Sequence, residues 1–162
     1  MSVSETIKDK LMPGILIFIL ALSFLVIAGE VISYFKSKPV IPMGKAEITL
    51  GKTIVYADIA DMPAEREQGL SGRPFLADNE GMLFIFDSPV MPAFWMKDMN
   101  FALDIIWIEE NGNIASTTKD LRPESYPNTV SPAVQVKYVL EVPSGFIQKN
   151  GIETGSLVRI RK

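Results

Sequence analysis

Apolar residues in this chain fall into runs of three kinds, and each predicts a different element. The first kind is a single long run, Leu11 to Gly29 (LMPGILIFILALSFLVIAG), with no charge over nineteen positions between Lys10 and Glu30. At ~1.5 Å of helix per residue it nearly crosses a ~30 Å hydrocarbon core. Continuation through VISYF would place Tyr34, Phe35 and Lys36 at an interface, where aromatic and cationic side chains settle. The pattern predicts a membrane anchor over residues 11–35 behind a short tail, 1–10. A signal peptide cleaved after Ala28, giving a secreted form, is the competing reading. Signal cores usually run only ~7–15 residues, shorter than this stretch. Lys8 and Lys10 before the run and Lys36, Lys38 and Lys45 after it leave the charge rule for orientation undecided. A short tail ahead of a first span favours a domain outside the cytoplasm.

The second kind is short and dense: GMLFIF from Gly81 and FALDIIWI up to Ile108. Both are bounded by turn-forming residues and too short for a typical helix, which predicts buried strands. The third kind alternates. AEITLGKTIVYADIA predicts a hairpin turning at Gly51-Lys52, and NIASTTK, VKYVLEVP and SLVRIRK predict further strands, with NIASTTK polar enough for an edge. Between FALDIIWI and NIASTTK, Glu110-Asn111-Gly112-Asn113 predicts a tight turn with positive φ at both central residues. In PAFWMK, Phe94 and Met96 alternate with Trp95 and Lys97. The segment DMPAEREQGLSGR breaks the strand pattern: Asp61 suits an N-cap, Pro63 a first turn and Gly69 or Gly72 a helix end. PSGFIQKNG predicts a second helical turn. Residues 36–45 (KSKPVIPMGK) predict an extended tether. The expected fold is therefore mainly β: a compact β-sandwich or jelly-roll-like domain over residues 46–162, with one or two short helices and one N-terminal transmembrane helix.

Composition narrows the chemistry. The chain is 48% hydrophobic over 162 residues, a share raised by its first forty. From Lys45 onward, twelve Lys and Arg face sixteen Asp and Glu, a net charge of −4 with no basic run, which argues against nucleic acid as a partner. Cysteine and histidine are both absent, which removes thiol chemistry, His-dependent triads and the usual zinc ligand sets. No phosphate-cradling glycine loop or dinucleotide fingerprint appears, and Asp78-Asn79-Glu80 lacks the spaced ligands of a calcium loop. No metal or cofactor is expected, and the methionines from Met82 to Met99 suit adaptable core filling.

Acid–base work would then fall to carboxylates, and Asp104 and Glu141 stand out because each lies in an apolar strand. Arg66, Arg73 and Lys97 are the accompanying cations. One reading makes them a brace. Met62, Arg66 and Leu70 are spaced four apart, so a buried Leu70 would turn Arg66 inward to pair with Asp104. The other makes Arg66, Arg73 and Lys97 an anion-binding cluster with Trp95 as its flat apolar wall. On the second reading the chain is a membrane-anchored extracytoplasmic domain that binds an anionic small molecule or polymer. The alternatives are a hydrolase using Asp104 or Glu141, and a structural or interaction module without a ligand.

The runs AEREQGLSGRPFL, EGMLFIF, FWMKDMNFALDIIWIEENGNI and VLEVPSGFIQKNGIETGSLV are, in this order, similar to the bacterial and archaeal family called domain of unknown function 192. The resemblance covers most of residues 46–160 and leaves out the anchor. It implies a compact β-sandwich or jelly-roll-like fold, often behind a signal peptide or membrane anchor, and no established molecular activity. Met99-Asn100 stands where that family usually has an Asn-Thr-like pair.

Overall fold

A computed structural model describes residues 44–162, and before them Ser23 alone. The chain divides into two units, Met1–Val40 and Ile41–Lys162, and the account below concerns the second. The expected anchor (11–35) and most of the expected tether lie outside the described residues. Among the described residues no helix is long and apolar enough to cross a membrane.

The strands are β1 (Lys45–Leu50), β2 (Thr53–Ala60), β3 (Glu80–Val90), β4 (Leu103–Ile108), β5 (Ile114–Leu121), β6 (Val136–Pro143) and β7 (Val158–Arg161). Two short helices, α1 (Pro63–Gln68) and α2 (Phe146–Asn150), accompany them. The domain is mainly β, as expected, but all seven strands join in one sheet, ordered β5-β4-β6-β3-β2-β1-β7. Two separate facing sheets, as in a sandwich, are not formed. The sheet curls instead, and its edges meet at one end. There the β4–β5 turn reaches the start of β7, with Val158 N–H donating to the Gly112 carbonyl and Ile114 N–H to the Ser156 carbonyl, both at 2.9 Å.

Curling buries both faces of the central strands, which explains why LDIIWI is apolar at nearly every position and buried throughout. The inner face gathers Ile48, Val55, Leu83, Ile106, Ile108, Leu140 and Val158, closed by Phe146 and Ile147 of α2. The outer face of β3, β4 and β6 carries Phe84, Leu103, Ile105, Trp107 and Val139 beneath Leu70 and Met96. On β4, Leu103, Ile105 and Trp107 face outward and Ile106 and Ile108 inward. Because both cores are built within residues 46–158, this unit holds what it needs to fold alone.

Two local features depart from expectation. First, β2 and β3 run parallel, with Tyr56 opposite Glu80 and Ala60 opposite Phe84, in an otherwise antiparallel sheet. A parallel pair needs a long crossover, and residues 61–79 with α1 provide it. Second, at the β4–β5 turn only Gly112 has positive φ (88°). Gly112 N–H donates to the Glu109 carbonyl and Glu109 N–H to the Asn113 carbonyl, so the loop is a longer turn ending in a left-handed glycine. The Gly51-Lys52 hairpin forms as expected, pairing Leu50 with Thr53.

Candidate functional site

The segment from Met91 to Lys97 lies across the outer face of the sheet, held by its alternate residues. Phe94 packs edge-on between Phe84 and Trp107, with ring centroids 4.8 and 5.4 Å away. Its backbone exchanges two 2.9 Å hydrogen bonds with Val130. Met96 is buried two residues on. With Phe94 and Met96 turned in, Trp95 and Lys97 must turn out, and Trp95 is 44% exposed.

The adjoining wall is α1. Its N-cap is Met62, not Asp61, and the Glu65 carboxylate reaches back to accept from the Asp61 and Met62 N–H groups at 3.2 and 3.1 Å. The helix ends at Gln68 with Gly69 as its C-cap, so Leu70 lies beyond it and does not set the direction of Arg66. Arg66 Nη1 donates to the Asp61 carbonyl and, at 2.9 Å, to the Ile85 carbonyl, while the guanidinium lies 5.4 Å over the Phe86 ring. The Nε–Nη2 edge of the fork is left unengaged among the described residues. Opposite, the loops holding Lys97 and Arg73 are tied together. Ser71 Oγ donates to the Lys97 carbonyl (2.8 Å), Gly72 N–H to the Asp98 carbonyl (2.9 Å) and Asn100 Nδ2 to the Arg73 carbonyl (2.9 Å).

Two shallow depressions result, and Trp95 and Glu67 line both. One, of 220 Å³, adds Arg66, Phe86, Pro92 and Phe94. The other, of 310 Å³, adds Gln68, Ser71, Lys97 and Asp98. Three of the four expected ligand-binding residues, Arg66, Trp95 and Lys97, thus converge on one groove. Arg73 does not line it; its guanidinium is taken up by Asp58 at 2.6 Å, with Lys45 on the same carboxylate at 3.3 Å. Burial pushes the Asp58 carboxyl up, and the combined pull of Arg73 and Lys45 more than offsets this, holding it below the ordinary value. Glu67 and Asp98 are groove residues the sequence reading did not place there; Asp98 has positive φ (56°), which breaks the alternation of AFWMK, and no spacing signal marks Glu67.

The expected Arg66–Asp104 pair does not form. Asp104 lies on the inner face of β4, where its two oxygens accept from the backbone N–H groups of Asp120 and Ile147, both at 2.9 Å. It brings strand β5 and helix α2 to β4, a bracing role achieved without an arginine. Glu141 is one position out of phase: Asp104 pairs with Val142 and Ile105 with Glu141, which puts the two carboxylates on opposite faces. They cannot act on one bond as a pair, so a two-carboxylate hydrolase built from them is excluded by register. Glu141 sits between Met82 and Ile105 in cross-strand register, 5% exposed and with no hydrogen-bond partner among the described residues. Burial raises its carboxyl to about 8, against a smaller downward pull from Arg73. Among the described residues no group of acidic side chains could hold a metal ion.

Fold and groove together define a mainly β domain on one curled sheet, with a crossover helix beside an outward-facing tryptophan. The chain belongs to the DUF192 family, described as "Uncharacterized ACR, COG1430", whose model matches residues 46–160. No curated protein matches. Among solved structures, the chain is similar to a "putative transcription regulator" from Sinorhizobium meliloti 1021 (27% identity, TM-score 0.66, covering 72% of this chain and 92% of that one). It is also similar to a protein of unknown function from Novosphingobium aromaticivorans DSM 12444 (26% identity, TM-score 0.67, covering 76% and 93%).

Proposed function

We propose that the protein is a membrane-anchored extracytoplasmic binding domain that takes an acidic saccharide, free or as part of a polymer, in the groove on either side of Trp95. The observation that carries this reading is the placement of Trp95 between two cations, Arg66 and Lys97, neither of which has a carboxylate partner among the described residues. A flat apolar ring suits the face of a sugar. The free edge of Arg66, held rigid over Phe86, suits a carboxylate. Glu67, Gln68, Ser71 and Asp98 offer acceptors and donors to hydroxyls, whereas the two carboxylates would repel a dense anion such as phosphate. The anchor rests on the uncharged Leu11–Gly29 run. The regulator description of the Sinorhizobium protein is not carried over, because a domain of net charge −4 without a basic run is poorly suited to nucleic acid.

Calorimetric titration of residues 41–162 with oligogalacturonate and with a neutral glucan of equal length tests this. The acidic oligomer should bind, the neutral one at least tenfold more weakly, and Arg66→Gln or Lys97→Gln should remove most of the difference. Equal affinity for both oligomers, or none, would refute the reading.

A further inference from the structure

The end of the curled sheet where its edges meet is not filled. A cavity of 390 Å³ opens there between the β1–β2 turn, the end of α2 and the start of β7. Its floor is the inner core itself, at Leu50 and Ile114, and its wall includes Leu157, which stays 52% exposed. The rim is fixed: Thr53 Oγ1 donates to Asn150 Oδ1 and Asn150 Nδ2 to the Phe146 carbonyl, both at 2.9 Å, tying α2 to the β2 turn. Of the residues lining the cavity only Lys52 is charged, and its ammonium has no carboxylate partner among the described residues. The volume lies within the ~300–1,000 Å³ of ordinary ligand pockets, and barrel mouths are a common place for them.

We propose that this cavity is a second binding site, for a small amphiphilic monoanion whose apolar body rests on Leu50, Ile114 and Leu157 and whose carboxylate meets Lys52. Leu157 and the accessible edges of Leu50, Ile114 and Ile152 receive the body beside the polar groups of Thr53, Asn150 and Ser156, and a single mobile ammonium selects the charge; a flexible lysine suits a ligand gripped at one point. The cavity shares no residue with the Trp95 groove, so the two sites stand or fall separately.

Octanoate is the probe, octanol its uncharged control, and the backbone amides of residues 41–162 the readout by NMR. Octanoate should shift the amides of residues 50–53, 150–152 and 156–158 saturably and leave residues 92–98 unmoved. Octanol should bind at least tenfold more weakly, and Lys52→Glu should lose octanoate affinity by tenfold or more. Leu157→Trp, which fills the cavity from an exposed position, should abolish saturation at an unchanged melting temperature. The proposal is overturned if those amides do not shift saturably, if octanol matches octanoate, or if Lys52→Glu binds like the wild type. Shifts at the same residues that grow with protein concentration alone would assign the surface to a second copy of the chain and overturn it as well.

Discussion

Asp104 and Glu141 differ by one step of register and by everything that follows from it. Asp104 is accommodated in the core because two backbone N–H groups converge on its oxygens. In Asp104→Ala both donors lose their acceptor, at about 1–3 kcal/mol each, and urea unfolding should show roughly that loss. Arg66→Ala frees two carbonyls at a more exposed place and should cost about 1–2 kcal/mol. Since the two side chains do not touch, the double variant should lose the sum of the singles within about 0.5 kcal/mol; strong coupling would contradict the separation described above. Glu141 has no such donors. Its folded carboxyl titrates at about 8 against 4.5 for an ordinary glutamate, so between those values the folded state holds a proton the unfolded chain has lost. Its contribution is complete below about 4.5 and is lost as pH rises through 8, with a slope of up to about 1.4 kcal/mol per pH unit. Asp58 has the opposite sign and titrates below this window. Urea midpoints at pH 5, 7 and 9 should fall for the wild type and stay level for Glu141→Gln; parallel curves would show that Glu141 is not the titrating group.

At the scale of elements, strand β3 is pinned by its second residue. A Cβ on Gly81 would stand 2.7 Å from the Glu141 carbonyl and 3.1 Å from Val55 Cγ1, so Gly81→Ala must move backbone. A loss of about 1–3 kcal/mol in thermal or urea unfolding is expected, and an unchanged midpoint would mean that β3 and β6 are less closely packed than described. Much at this scale was legible in the chain. Period-two alternation separated Trp95 and Lys97 from Phe94 and Met96, and the structure turns the second pair into the core. The parallel β2–β3 pair was not legible, since alternation fixes which way a side chain points and not which strand lies beside it. The same limit hid the pairing of Arg73 with Asp58, which depends on a loop returning over β2. The direction of Arg66 was misjudged because α1 stops two residues before Leu70, and an i,i+4 relation holds only within a helix.

For the whole molecule, one curled sheet with both faces covered gives a self-sufficient domain, and the apolar run before it is expected to hold that domain at a membrane. The mature protein should stay in the membrane fraction after a carbonate wash, and external protease should release the domain from spheroplasts. A soluble form beginning near Gly29 would contradict the anchor. Single-sheet closure was hidden from the sequence because it rests on backbone hydrogen bonds between Gly112, Ile114, Ser156 and Val158, which no side-chain pattern announces. The groove, by contrast, was largely readable, since three of its residues were marked by charge or size against an apolar background. The chain has two tryptophans, which makes the central claim accessible: Trp107 is buried with its Nε1 donating to Thr118 Oγ1 at 3.0 Å, while Trp95 faces the proposed ligand. The most direct test is the tryptophan fluorescence of residues 41–162 titrated with oligogalacturonate. A saturable change is expected that disappears in Trp95→Phe and weakens at least tenfold in Arg66→Gln; no change, or one that persists in Trp95→Phe, would contradict binding at this groove.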